Sequence, residues 1–239
     1  VNPLPVGTTS NATICSGGTT AISLSSSLSG TTYTWTTSNV TGITTGGSNC
    51  SSSCGSSIAQ TLTNTSNSTA SVFRYTITPT SSLGCAGNTF ISNVTVNPSP
   101  AVSSSTYPGE FLCDGSSTNI DLNSTTSSTT TYTWTSSTSS GSVTGNTNCS
   151  SGCSNPIADV LANSGTTDET ATYVIVPTSA YGCVGASYTI VETVGATPVA
   201  TATPSSQTVN SGGTATINFG SNISGSSFTW ASAVTIGSA

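Results

Sequence analysis

The chain has 239 residues, 3% of them charged, with one cationic side chain, seven acids and a formal charge of −6. That balance excludes nucleic-acid binding, which needs a basic surface to release counterions, and excludes docking to anionic lipid for the same reason. No run of 18 or more apolar residues is present to span a bilayer. The opening VNPLPVG lacks the charged and apolar regions of a signal peptide, so either a signal has been removed or the chain is an excerpt of something longer.

Ser and Thr make up roughly two-fifths of the sequence, a bias that raises the question of low complexity. Against it stand 33% hydrophobic residues, many at alternating positions, and eight cysteines in an ordered pattern. Strands read clearly in chain order. TTAISLS places Ile22 and Leu24 on one face, and TYTWT places Tyr33 and Trp35 on one face with threonines on the other. VFRYTIT turns Phe73, Tyr75 and Ile77 inward and leaves Arg74, the only base, outward; TFISNVTV then closes the unit ahead of a Pro-rich seam. Turn signals recur every 8 to 12 residues or so, which predicts an antiparallel β-sandwich of about seven strands.

The unit then repeats. Cys15, Cys50, Cys54 and Cys85 return as Cys113, Cys149, Cys153 and Cys183 at offsets of 98, 99, 99 and 98, and Trp35 returns as Trp134. NCSSSC becomes NCSSGC, YTITPTSSLGCAG becomes YVIVPTSAYGCVG, and VNPLP becomes VNPSP. Ile120 with Leu122, and Ile217 with Phe219, repeat the first inward pair. The expected organisation is all-β: one sandwich repeat over 1–97, a second over 98–195, and the opening part of a third over 196–239. Tyr33, Trp35, Tyr75, Tyr132, Trp134, Tyr173 and Trp230 are the expected core markers. Glu192 falls where the first unit has Val94, which predicts either an edge position or a slipped register.

Eight cysteines without a histidine suggest an oxidising, extracytoplasmic setting. A four-cysteine zinc site in each unit is the rival, but only Cys50–Cys54 and Cys149–Cys153 are close-set, and two close pairs per site would be usual. Those two pairs are expected to be local disulfides. Cys15 precedes the second strand and Cys85 sits in the last turn, and in an ordinary immunoglobulin-like sandwich those places lie roughly 20 Å apart, against a disulfide Cα spacing of ~5.5 Å. Either the topology is unusual and Cys15 bonds Cys85, with Cys113 bonding Cys183, or Cys15 bonds Cys183 of the next unit. The pair within the unit is the preferred expectation, because repeated modules usually fold independently.

TICSGGT, YTWT, VTGI, SIAQTLTN, YTITPTSSLGCAG and VNPSP, in that order, resemble the PKD-like/Ig-like repeats of giant surface proteins of Bacteroidota, closest to SprB-type gliding-motility adhesins. The resemblance covers both full units and the start of the third. It implies export by the type IX system, display as an outer-membrane-associated filament, and movement of that filament by a membrane motor.

Catalysis finds little support, since the common bases and nucleophile activators, His and Lys, are absent. Asp168 and Glu169 are adjacent and would point oppositely on a strand, and the first unit has no acid at all, so no glycosidase pair is expected. DET and CDG lack the spacing of a calcium loop, so no metal or cofactor is expected. Nine Asn-x-Ser/Thr triplets are attributed to composition. Tyr107 and Tyr181 are candidate sugar contacts, with packing or plain exposure the simpler account. Without lysine, no intramolecular Lys–Asn bond can stiffen the array, so stiffness falls to disulfides, short Pro-rich linkers and contacts between repeats. The expected work is structural and adhesive. Its partners are neighbouring repeats and a surface polysaccharide or substratum; carbohydrate-binding repeats of a secreted enzyme, or a surface-layer protein, are the alternatives.

Overall fold

The computed structural model describes residues 2–105 and 111–233; Tyr107 and Glu110 lie outside the described residues. All regular structure among the described residues is strand and turn. In the first unit a five-stranded sheet runs in the order Ala12–Cys15, Phe90–Asn97, Ser71–Thr80, Thr32–Thr41, Cys50–Cys54. Its neighbours are antiparallel except the first pair, where Ala12–Cys15 runs parallel to Phe90–Asn97 and brings Cys15 opposite Asn97. The facing layer is built on Thr61–Asn64, which pairs with Gly18–Thr19 and with Thr44–Thr45, while Ile22–Ser23 pairs with Ser57–Ile58.

Alternation drives this arrangement. Along Ser71–Thr80 every second residue is buried, so Phe73, Tyr75 and Ile77 enter the core, while Arg74 lies on the outer face and donates from Nε to Asn93 Oδ1 at 3.0 Å. Tyr33 and Trp35 enter from the next strand, and Ile22, Leu24, Ile58, Leu62, Val94 and Val96 complete the core. Burying each such side chain stabilises by about 1.5–3 kcal/mol, more than any exposed charge pair would.

The second unit reproduces the frame. Thr130–Thr138, Glu169–Ser179 and Tyr188–Val194 form a three-stranded sheet, with Leu112 bridged in parallel to Val194 and Trp134 bridged to Cys149. Trp134 lies opposite Ile175 as Trp35 lies opposite Ile77. A separate core gathers Ile120, Leu122, Trp134, Val143, Ile157, Leu161, Tyr173 and Ile175, with Tyr132 half-buried at its margin.

Polar groups inside both cores are paired in matching ways, as burial requires. Asn64 Nδ2 donates to the carbonyls of Thr69 and Val96 at 2.8 and 2.9 Å, and Asn163 Nδ2 donates to those of Thr167 and Val194 at 2.9 Å each. Tyr75 donates its hydroxyl to Gln60 Oε1 at 2.9 Å; in the second unit Tyr173 donates to Asp159 Oδ2 at 2.8 Å. The tryptophans donate to Ser48 O and Thr147 O at 3.1 and 2.9 Å. So Trp35 and Trp134 each close a core and pin the loop beneath it.

One expectation about the core is corrected. Trp230 is not a core residue: it is 75% exposed and stacks on Phe219 at a centroid distance of 5.5 Å. Ile217 and Phe219 are exposed as well. The physical reason is that the described strands of this third segment are Ala200–Thr203 and Asn218–Ser221, a single hairpin layer with no facing sheet to bury an apolar side.

Glu192 takes the edge position, one of its two expected placements. Its strand does lie at the edge of the three-stranded sheet, but the register does not slip and the side chain points inward, 0% exposed. Where the first unit pairs Phe73 with Val94, the second pairs Ala171 with Glu192, so a longer side chain offsets the volume lost at the neighbouring position. Neither carboxyl oxygen has a hydrogen-bond partner, and burial pushes this carboxyl from the ordinary 4.5 up to about 7. A folded-state value above the unfolded one means that the folded chain holds the proton longer, so stability declines as pH rises from about 4.5 through 7. The expected decline is on the order of 1–3 kcal/mol for the second unit. Thermal melts across that range should show the slope in the native chain and its loss in Glu192→Gln, which keeps the shape and removes the titration.

Candidate functional site at the repeat junction

The two ends of each unit differ in chemistry. At the trailing end, Ala12–Cys15 finishes beside the last residue of the closing strand, and the Ser16 amide donates to Asn97 O at 2.8 Å. At the leading end lies the turn between the last two long strands. Its Gly-Cys-x-Gly phrase has a mechanical meaning. Gly182 takes φ 78°, a left-handed value that side chains disfavour, and its amide donates to Ser179 O at 2.9 Å. The Ser179 amide donates to Cys183 O at 3.0 Å, which fixes the cysteine at the base of the turn. Gly185 lies so close to the Pro100 carbonyl that a Cβ there would overlap it. The turn of the second unit is therefore seated directly on the Pro-rich seam that leaves the first.

Across that seam Cys15 and Cys183 form a disulfide, with Cα atoms 5.5 Å apart and a sequence separation of 168. This overturns the preferred pairing: Cys15 is not bonded to Cys85, nor Cys113 to Cys183, and Cys85 and Cys113 are free. The reason is the polarity of the sandwich, which puts the strand-end cysteine and the turn cysteine of one unit at opposite ends. Cys50–Cys54 and Cys149–Cys153 close locally. The four cysteines of one unit are thus not gathered at one place, and among the described residues no group of three or more His, Cys, Asp or Glu stands in a metal-holding arrangement.

A second attachment fixes the junction. The Ser127 amide and hydroxyl both donate to Ser68 O, at 3.0 and 2.8 Å. Ser68 sits in a loop that Asn64 and Ser66 organise through side-chain hydrogen bonds. Covalent and hydrogen-bonded contacts therefore join the units at two separate points. At the trailing end of the second unit Asp114 takes the place of Ser16. Its carboxylate accepts from the Asn163 amide and the Thr197 hydroxyl, at 2.8 Å each, and these bonds, the Asn163 one first, hold it below the usual carboxylate range.

Outer sheet faces offer the other surface. Thr34 and Thr36 lie opposite Thr78 and Thr76 and, with Asn49 and Thr89, line an open groove of about 400 Å³. A groove of about 330 Å³ lies on the second unit beside Thr131, Thr133, Ser151 and Asn155. None of these side chains is charged. Tyr181 is exposed and Asp168 and Glu169 form no facing pair: Asp168 accepts from the Ala196 amide at 3.3 Å, while Glu169 accepts from Ser139 at 2.6 Å and Thr167 at 3.2 Å. The sequence signal missed was the second glycine of Gly-Cys-x-Gly, a mark of close approach by the preceding seam.

The Cys15–Cys183 bond diverts tension. A pull on the chain ends passes from Cys15 straight to Cys183, so the 168-residue separation, roughly 600 Å of extended contour, bears no load. Single-molecule stretching of the oxidised chain should show only short extensions from the flanking segments. Cys183→Ser should restore two long unfolding steps, one for each unit.

The PKD-like domain family matches residues 12–100 and 110–198. No curated protein matches the sequence. A three-domain immunoglobulin fragment of titin is 11% identical, with 82% of this chain and 67% of that one covered at a TM-score of 0.38. A Drosophila N-cadherin fragment is 10% identical over 82% and 50%, at 0.37. The Bacteroides ovatus mixed-linkage glucan utilization locus protein SGBP-B, in complex with a mixed-linkage heptasaccharide, is 15% identical over 80% and 48%, at 0.28. With both complete units matched, this chain belongs to the PKD-like domain family.

Proposed function

We propose that these repeats are a structural and adhesive segment of a long secreted surface filament, a gliding-motility adhesin of the SprB type exported by the type IX system. The observation that carries the reading is the disulfide joining consecutive PKD-like units at the seam. A bond that serves no single unit's core, and that shortens the load path across two, suits a part whose work is to transmit force. It also supports an oxidising, extracellular setting.

Contact with the substratum or a surface polysaccharide falls to the outer sheet faces. Each unit carries an open groove there, lined mostly by uncharged hydroxyl and amide side chains, though at different places on the two units. Such contacts are individually weak and gain strength by repetition along the filament. The role is mechanical and not enzymatic, and it calls for no cofactor. In gliding cells a membrane motor would carry the filament along the outer membrane.

The reading is tested on live cells with beads bearing antibody to this chain. Beads should bind intact cells on extended projections and travel along the surface. Labelling only after permeabilisation, or a static uniform coat, would overturn it. Purified oxidised chain displayed in many copies should also be retained on neutral polysaccharide with little loss as salt is raised, since screening has almost no charge to act upon. Steep loss with salt would remove the hydroxyl faces as the contact surface.

A further inference from the structure

Cys85 and Cys113 are the repeat equivalents of the two bonded residues, Cys183 and Cys15, and both are free. Their surroundings match those of the bonded copies. In the Cys85 turn the Ser81 amide donates to Cys85 O at 3.0 Å and the Gly84 amide to Ser81 O at 2.9 Å, the same bonds that hold the Cys183 turn. Ser81 Oγ accepts from the Cys85 amide at 3.1 Å, as Ser179 Oγ accepts from that of Cys183 at 3.3 Å. A Cβ at Gly87 would overlap the Pro5 carbonyl, as one at Gly185 would overlap that of Pro100. The thiol of Cys85 is thus presented on a turn already built for the junction, over its own Pro-rich segment.

Cys113 is matched in the same way. Leu112 is bridged in parallel to Val194 as Ile14 is paired with Val96, which sets the next residue, Cys113 or Cys15, at the trailing end. Thr197, the equivalent of Ser99 in the seam, reaches Asp114 beside it. Cys113 is exposed and Cys85 half-buried, whereas Cys183, with a unit seated against it, is 0% exposed.

We propose that Cys85 and Cys113 are the open halves of further junction disulfides. Cys85 takes the strand-end cysteine of a PKD-like unit seated ahead of the first unit, and Cys113 takes the turn cysteine of a unit seated behind the second. Each bond forms as two thiols lose two protons and two electrons to a disulfide oxidant, which leaves as two thiols. The partner is a unit of this same kind, in the same polypeptide or in a second one. The inference rests on the array reading, yet it fails separately: free thiols on cells whose filaments still label and move would remove these bonds and leave the filament.

The test is peptide mapping without reduction, on the full protein from its own cells with free thiols alkylated before lysis. Cys85 should be joined to a peptide whose cysteine resembles that in TICSGGT or FLCDGSS, and Cys113 to one with a Gly-Cys-x-Gly phrase. Alkylated cysteines at both positions, glutathione alone on them, or like-with-like pairs of Cys85 or of Cys113 would overturn the proposal. A denaturing gel run without reductant separates the two sources: one-chain mass places the partner unit in the same polypeptide, and a ladder that collapses on reduction places it in another. In Cys85→Ser the Cys85 link should vanish while Cys15–Cys183 remains, which separates loss of the bond from loss of the fold.

Discussion

A β-sandwich has two poles, and a residue at the end of one strand cannot reach a turn at the far pole of its own unit. Cys15 finishes a strand beside Asn97, where the chain leaves the unit, while the turn that carries Cys85 sits over Pro5, where the chain enters. Strands of these lengths keep the poles well beyond disulfide reach. The bond therefore has to cross the seam, and much else follows from that. The seam is short because Cys183 must arrive within reach of Cys15, and Gly185 has no side chain because the Pro100 carbonyl lies against it. Closing so long a loop restricts the unfolded chain by on the order of 5 kcal/mol in the chain-entropy account, a sum shared between the units. One bond thus contributes to both stability and alignment.

Scarcity of charge is the second constraint, and the interior shows how it is met. Cross-layer fixing that other proteins give to ion pairs is done by neutral hydrogen bonds: Asn64 and Asn163 reach across to the closing strands, and Thr20 and Thr118 donate to the carbonyls of Ile58 and Ile157 at 2.9 and 2.8 Å. Such bonds are directional and indifferent to salt, so they hold register without adding long-range repulsion between stacked units. Glu192 departs from that economy. It stands beside Ala171 because a larger group was needed where the ring of Phe73 is missing, and its carboxyl has no partner. Tyr173 is pushed above its ordinary range, chiefly by burial and then by its bond to Asp159.

Much of this was legible in the sequence because it is periodic. Alternation gave the inward faces of Phe73, Tyr75 and Ile77, and the offset of about a hundred residues located the second core through Trp134 and Tyr173. Where reading went astray, the missing quantity was three-dimensional. Trp230 ends SSFTW, a looser version of the TTYTW that ends at Trp35, but burial needs a second layer, and phrase alone does not supply one. The cysteine pairing was within reach, since strand length already set the two poles apart. A general preference for self-contained modules outweighed that geometry, and the geometry was the better guide. Gly87 and Gly185 carried the clearest unread signal, because a glycine after a turn cysteine has no evident use until the neighbouring seam is in view.

The order of the cysteines along the chain decides how an array of such bonds would fail. Cys113 lies inside the loop that Cys15–Cys183 closes, so a bond from Cys113 to a following unit would begin within one loop and end beyond it. The loops then overlap instead of lying end to end. Rupture of Cys15–Cys183 would expose residues 16–112 to tension, while the stretch from Cys113 to Cys183 stayed inside the next loop. A filament made this way loses its slack in portions, each about one unit long, and no single broken bond frees two units at once. Bonds closed within each unit would offer no such sharing, because every seam between them would carry the whole load on its backbone and a few hydrogen bonds of the Ser68–Ser127 kind. The arrangement that conflicts with independent folding is thus the one that suits a chain under tension.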